Sequence, residues 1–456
     1  MTSDEARIRS ALDEFRHRHR VPGVAVCTFT SAGPRCAVGS GVASLESPDQ
    51  VVTPDTVFRI YSVTKLLTGT LVVALASNGL LKLDAPVNQS LPELRVRGAA
   101  DDGGVTLRHL LSHQAGWLPD SVRHDGFDRN ADSLERTVLR SAARMPMLAS
   151  PGTVYSYSNL GASLAGVVAQ RVVGEPFGEL IAERLYAPLG MTRTTHDPAV
   201  AMTFPLAQHH VLDARGDLRV AHGARQAVAH EPASQCYSTA TDMARFGALH
   251  LGGARAVMPA SWTGRMHRVH SDPRLDVDLR YGLTCYLGPP VAGVRQVGHE
   301  GFLDGMWVKL VLDPARDFGV VWLDNRGEEL REHRYRVLAE LFGGLGHTPA
   351  DVDRPHGSIT ADRVAGTYYR VGAEPLAVTA EGEDVVVSAS CRRLPLVPGP
   401  AGTWVSRTEH GPGSPPWGPH AGSRRVCLGA TAGPDGDIAF VHLNGLPYAR
   451  QGGARS

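Results

Sequence analysis

Two apolar runs near the N-terminus, "GVAVCTFT" (23–30) and "RCAVGSGVASL" (35–45), are matched by three near residue 300: "VRQVGHE" (294–300), "GMWVKLVLDP" (305–314) and "FGVVWLDN" (318–325). Rich in β-branched and aromatic residues and bounded by turn signals, all five read as strands, with Ser31–Pro34 and "DPARD" (313–317) as turns. The chain between the two groups is mainly helical. Residues 4–20 are amphipathic. "SVTKLLTGTLVVALASNG" (62–79) is apolar on every side and stops at Asn78 and Gly79, while 106–114 and 159–173 are further helices, each ending against a glycine. Strands at both ends of a helical stretch imply that the N-terminal and late strands share one antiparallel sheet, an α+β sandwich.

The 456 residues allow one large domain and a smaller one. "GHTPADVDRPHGSIT" (346–360) has the polar, turn-rich composition of a linker between a domain at 1–345 and one at 361–456. In the second, "VAGTYYRV", "PLAVTAEGEDVVVSAS", "GTWVSR", "RRVCLGA" and "IAFVHLNG" are short runs broken by Gly and Pro, the pattern of a small β-barrel or sandwich, and "GPGSPPWGP" (411–419) reads as a loop. Acidic and basic residues number 46 each, so no global field draws the chain to nucleic acid or to an anionic membrane, and small or neutral substrates are expected. The six cysteines form no C-x-x-C pair and suggest buried thiols. No signal-like apolar stretch opens the chain and no run approaches ~18 apolar residues, which leads us to expect a cytoplasmic protein.

Only three of the 46 basic residues Lys or Arg are lysines, Lys65, Lys82 and Lys309, and one of them follows Ser62 by three positions at the head of an apolar helix. A serine hydroxyl needs a base within hydrogen-bond reach. Arginine keeps its proton in a protein, whereas a lysine whose pKa is lowered by burial can serve. Three residues along a helix put the two side chains on one face, and the positive helix end faces a developing oxyanion. Taken alone, the pair has a second explanation, a lysine snorkelling from a core helix.

"PGTVYSYSNLG" (151–161) places Tyr157 and Asn159 at the start of a helix. The tyrosine suits a proton shuttle and the asparagine suits a substrate amide and the lysine, although a packed Tyr with an N-capping Asn gives the same pattern. In "VGHEGFLDGMW" (297–307) glycines interrupt a strand around His299, a sign of close backbone approach, while a lone strand-end His is commonly structural.

Together these stretches resemble the serine β-lactamase and penicillin-binding-protein superfamily over about residues 5–345, as do their flanks "TVFRIYSVTK" (56–65), "LRHLLSHQAGW" (107–117), "YAPLGMTRT" (186–194), "CYSTATDMARFG" (236–247) and "RYGLTCY" (280–286). The resemblance implies an antiparallel sheet flanked by helices with a helical subdomain. It also implies an acyl-enzyme mechanism. Ser62 attacks a carbonyl, Lys65 and Tyr157 move protons, Asn159 and Gly301 help to hold substrate, and the backbone N–H groups of Ser62 and Phe302 form the oxyanion hole. Neither cofactor nor metal is implied. Where many relatives carry Lys-Thr-Gly, this chain has His299, Glu300 and Gly301. The cation that binds a β-lactam carboxylate is missing and an acid is added, which points away from antibiotic hydrolysis and towards the esterase, D-aminopeptidase and peptide-cyclase branches. "ASQC" (233–236) stands where related esterases often have Ala-Gly-Gly, so the pocket wall is expected to differ.

The tail resembles the lipocalin-like domain of penicillin-binding-protein-type thioesterases, which release a nonribosomal peptide from its peptidyl carrier protein and close it head to tail, with a D-residue at the acyl end. That likeness implies a peptide thioester substrate, a role for His299 in holding acyl chain or incoming amine, and an active-site role for Arg450, whose alternative is a solvated tail charge. An esterase or D-stereospecific peptidase of the same fold is the rival expectation, and a non-catalytic binding module a third. No G-x-S-x-G, H-E-x-x-H, P-loop or G-x-G-x-x-G occurs.

Overall fold

The computed structural model describes residues 2–96, 104–117, 133–222, 227–274, 279–291, 294–327, 330–343, 359–370, 374–389, 392–398, 403–406, 426–432, 437–443 and 446–451. Its largest sheet has eight strands in the spatial order Ser47–Val51, Gly33–Ser44, Gly23–Thr30, Phe318–Asp324, Met306–Asp313, Val294–Leu303, Tyr286–Val291 and Arg280–Tyr281. The expected union of early and late strands is present: Gly23–Thr30 runs antiparallel to Phe318–Asp324, with Val24 opposite Asp324 and Phe29 opposite Gly319. The linker falls almost wholly outside the described residues.

Both faces of the sheet are covered. On one lies the helix Ala240–His250, where a Cβ on Gly247 would stand 2.3 Å from the Phe29 ring; beyond it the helix Thr64–Ser77 packs among other helices, buried at every position from Thr64 to Ala76, as its apolar sequence requires. It packs so tightly that a Cβ on Gly69 would stand 2.0 Å from Thr284 Oγ1. On the other face, Ser3–His19 and Arg331–Phe342 pack against Trp307 and Trp322. There the fully buried Arg334 donates from Nε to Asp324 Oδ2 at 2.6 Å and from Nη2 to Asp324 Oδ1 at 2.7 Å, fixing the helix Arg331–Phe342 to a central strand. The helix expected at 106–114 is only Leu107–Leu111. Thr106 and His109 form a capping box, and His113 at φ +57° ends the turn before Gly116 is reached.

Eight strands between Gly366 and Arg450 close into an antiparallel barrel with its own core, the barrel alternative of the sequence reading. Two of its strands were not expected: Arg392–Pro398, which carries Pro395 and Pro398, and Leu446–Arg450, which carries Pro447. The second closes the barrel by pairing Arg450 with Tyr368. The barrel meets the first domain at residues 272–274: Gly429 lies so close that an added Cβ would be 2.6 Å from Arg274 O. Cys27, Cys236, Cys285 and Cys427 are buried free thiols, Cys36 is half-buried, and Cys391 lies outside the described residues. Among the described residues no helix is long and apolar enough to cross a membrane.

Removing one member of a buried ion pair strands the other in a dry site. Arg334→Ala should therefore destabilise the first domain by about 3–5 kcal/mol, measurable by urea unfolding.

Candidate active site

Ser62 lies in a single 3-10 turn, Tyr61–Val63, that runs into the helix Thr64–Ser77, so it precedes the α-helix by one turn rather than occupying its first. Tyr61 holds the unfavourable φ of +45° that aims the serine. The strain is clamped from two sides: the Tyr61 hydroxyl is 2.6 Å from His209 Nε2, and the Arg59 guanidinium lies 4.8 Å over the Tyr61 ring. Arg59 in turn donates to Gln235 Oε1 at 2.6 Å. The "ASQC" stretch thus supports the nucleophile turn from behind.

Lys65 is fully buried while Ser62 is half-buried, which leaves the hydroxyl reachable and the amine dry. Lys65 Nζ stands 3.1 Å from Ser62 Oγ, 2.6 Å from Asn159 Oδ1 and 3.0 Å from Ala233 O. Three acceptors satisfy an ammonium. A neutral amine in the same place keeps two of these bonds as donor, to Asn159 and Ala233, and presents its lone pair to the Ser62 hydroxyl. The arrangement suits proton transfer in both directions.

Ser158, not Asn159, caps the helix Asn159–Val173, accepting from Gly161 N at 2.9 Å. Asn159 is thereby freed to reach Lys65. Tyr157 offers its ring to the same amine, with Nζ 4.9 Å from the ring centroid. His113, which the sequence reading quoted but gave no role, lies behind it with its ring 4.3 Å from that of Tyr157. Its motif "LLSHQAGW" carried the signal, yet only the fold brings it to Tyr157.

The strand Val294–Leu303 supplies the far wall. A Cβ on Gly301 would lie 2.4 Å from Ile60 O and 2.8 Å from Ser62 N, so only glycine lets this strand lie against the nucleophile turn. The peptide that follows Gly301 carries the Phe302 N–H. Strand alternation turns His299 and Gly301 towards Ser62 and sends Glu300 and Phe302 to the opposite face. There Glu300 pairs with Arg331 at 3.2 Å and accepts from the Tyr335 hydroxyl at 2.8 Å, while the Arg331 guanidinium stacks 4.7 Å over Phe302. Glu300 therefore adds no acid to the acyl site: burial raises its pKa, but Arg331, Lys309 and the Tyr335 hydroxyl outweigh that and hold it below the usual value. His299 is only 1% exposed, and burial, helped by the Lys65 charge, pushes its pKa down to about 3, so it stands neutral.

Arg450 is not drawn into this cluster. It donates to Ala365 O at 2.6 Å and lies 5.9 Å over the Tyr368 ring, contacts within the barrel's own seam.

A half-exposed serine backed by a buried lysine, on an antiparallel sheet under helices, defines an enzyme of serine-hydrolase fold in the β-lactamase and penicillin-binding-protein superfamily. The chain belongs to the β-lactamase family, whose model matches residues 8–343. It is 29% identical over 398 residues to penicillin-binding protein 4 of Amycolatopsis lactamdurans, covering 82% of this chain and 100% of that one. It is 28% identical over 321 residues to the unguisins hydrolase ungD' of Aspergillus campestris, covering 67% of this chain and 58% of the relative. Among solved structures, SurE superposes with a TM-score of 0.77 at 25% identity over 98% of this chain and 99% of its own. SurE with D-Leu gives 0.75 at 24% identity with the same coverage.

Gly301→Ala should push the strand away from Ser62 and lower the rate of Ser62 acylation at least about tenfold, the loss of one ordinary hydrogen bond in the transition state. Stopped-flow labelling with a fluorophosphonate measures it, and an unchanged rate would show that this close approach has no part in the chemistry.

Proposed function

We propose that the protein is a penicillin-binding-protein-type thioesterase: it takes a nonribosomal peptide from a thioester on a peptidyl carrier protein, holds it on Ser62, and closes it head to tail as a macrolactam. The carrying observation is the Lys65 amine, dry and 3.1 Å from a reachable Ser62 hydroxyl, with its other contacts already made by protein. The likeness to SurE supports the finer reading because it runs through the barrel as well as the first domain, and a SurE structure with D-Leu fits a D-residue at the acyl end.

In this reading Ser62 Oγ adds to the thioester carbonyl as its proton passes to neutral Lys65, and the N–H groups of Ser62 and Phe302 receive the oxyanion. Collapse expels the carrier thiol, which leaves with that proton by way of Tyr157. The peptide's own amine then adds to the Ser62 ester and gives up a proton to Lys65, which returns one to Ser62 Oγ as the amide forms. Asn159 keeps Lys65 in place and offers its amide to the substrate backbone. Nothing cationic occupies the third-motif position, because His299 is neutral, so a free carboxylate at that end of the substrate gains little, whereas an internal peptide amide fits.

Capture of the same acyl-enzyme by water is the second reading, favoured by the unguisins hydrolase relative. A peptide thioester with a D-residue at its acyl end separates the two by mass spectrometry. Cyclic product as the main species supports the cyclase, and linear acid as the main species assigns a hydrolase. Lys65→Arg, which keeps the charge but cannot surrender a proton, should abolish acylation in either case; substantial remaining activity would show that Lys65 is not the base.

A further inference from the structure

His113 makes four contacts with the segments around the site. Its carbonyl accepts from Ser156 N at 2.7 Å, its Nδ1 accepts from Ser158 N at 3.1 Å, its ring packs on Tyr157, and its Nε2 lies 3.1 Å from the Tyr281 hydroxyl. That hydroxyl is also 3.3 Å from His299 Nε2, and His299 Nδ1 is 2.7 Å from Glu300 O. All three side chains are essentially buried: His113 and His299 are 1% exposed and Tyr281 is 0% exposed.

The two ends of this chain fix every hydrogen in it. Ser158 N–H requires a lone pair on His113 Nδ1, which places the His113 proton on Nε2, directed at the Tyr281 oxygen. A carbonyl beside His299 Nδ1 requires a proton there, which leaves His299 Nε2 as an acceptor. The Tyr281 hydroxyl therefore accepts from His113 and donates to His299. The reverse polarity would set a lone pair against Glu300 O and a proton against Ser158 N–H, so one assignment satisfies all the groups. Both rings stand neutral, since burial, reinforced by the Lys65 charge, lowers the pKa of each.

We propose that the His113–Tyr281–His299 relay is a positioning device that locks the Tyr157–Asn159 segment to the strand bearing Gly301 and the Phe302 N–H, and that His299 acts through it rather than by touching substrate. Both nitrogens of His299 are committed to protein partners and its ring is closed off from solvent. A satisfied buried network of this kind resists relative sliding of the parts it joins, here the proton-moving and the oxyanion-binding halves of the site. His113 itself carries a positive φ of +57°, strain of the kind the surroundings must over-determine in order to keep.

This inference rests on the serine acyl-enzyme reading. Its test is a cycle of Tyr281→Phe, His113→Asn and the double variant, followed by Ser62 labelling with a fluorophosphonate, by kcat and KM on a peptide thioester, and by melting temperature. Phe keeps the packed ring and removes only the hydroxyl. Asn tolerates positive φ and can still accept from Ser158 N–H, yet cannot reach Tyr281. Each single change should lower kcat and the labelling rate about tenfold, one hydrogen bond's worth, with KM within about twofold. The double should lose no more than the worse single, as members of one unit do. If Tyr281→Phe retains wild-type kcat, or the losses multiply independently, or His113→Asn lowers only the melting temperature, the relay is overturned. An unlabelled wild type would instead bring down the serine reading on which it stands.

Discussion

Lys65 Nζ has no contact with solvent and directs its hydrogen bonds to acceptors from three parts of the chain: Ser62 one turn earlier, Asn159 at the start of another helix, and Ala233 in the stretch before Tyr237. Burying an ammonium without partners costs several kcal/mol. The seat is therefore tolerable only when all three segments have arrived, and the fold that brings them there also places the nucleophile, the phenol and the Gly301 strand within reach. A lysine held this way can exchange roles with Ser62, because an amine keeps its bonds to Asn159 and Ala233 while its lone pair faces the Ser62 hydroxyl.

The same economy shows in the strand carrying His299. One face is spent on the site and the other on the scaffold, where Glu300, Arg331, Tyr335 and Lys309 form a compact charged group. The acid that replaces the usual residue in the third motif thus concerns the attachment of the helix Arg331–Phe342 and not the acyl pocket. Of the chain's three lysines, Lys309 belongs to this group and Lys65 to the candidate site.

Long elements with a clear period were legible in the sequence. The helices at 3–19, 64–77 and 159–173 and five of the eight strands of the main sheet were expected within a few residues, because burial of one face or of every face leaves its mark on the pattern. Spacing and flanks singled out Ser62, Lys65, Tyr157 and Asn159, and the fold brings these four side chains together. His113, Tyr281 and His299 were quoted, but not as one network: their joining depends on sheet register between segments far apart in sequence, which no local pattern records. The direction of Glu300 was readable from strand alternation beside His299 and was not used. Two barrel strands were missed because Pro395 and Pro447 read as breakers, yet a proline is accommodated where its missing N–H is not called on by the neighbouring strand.

The way each sheet closes bears on how the chain acquires its shape during synthesis. The main sheet cannot be completed until Phe318–Asp324 returns to Gly23–Thr30, and the barrel stays open until Leu446–Arg450 meets Gly366–Tyr369. Both are pairings of high sequence separation, which are slow to find and leave strand edges bare in the meantime. The nascent chain therefore emerges from the ribosome with two unfinished edges, while the opposite border of the main sheet is the short strand Ser47–Val51, whose Pro48 and Asp49 are the kind of residues that keep a permanent edge from recruiting a neighbour.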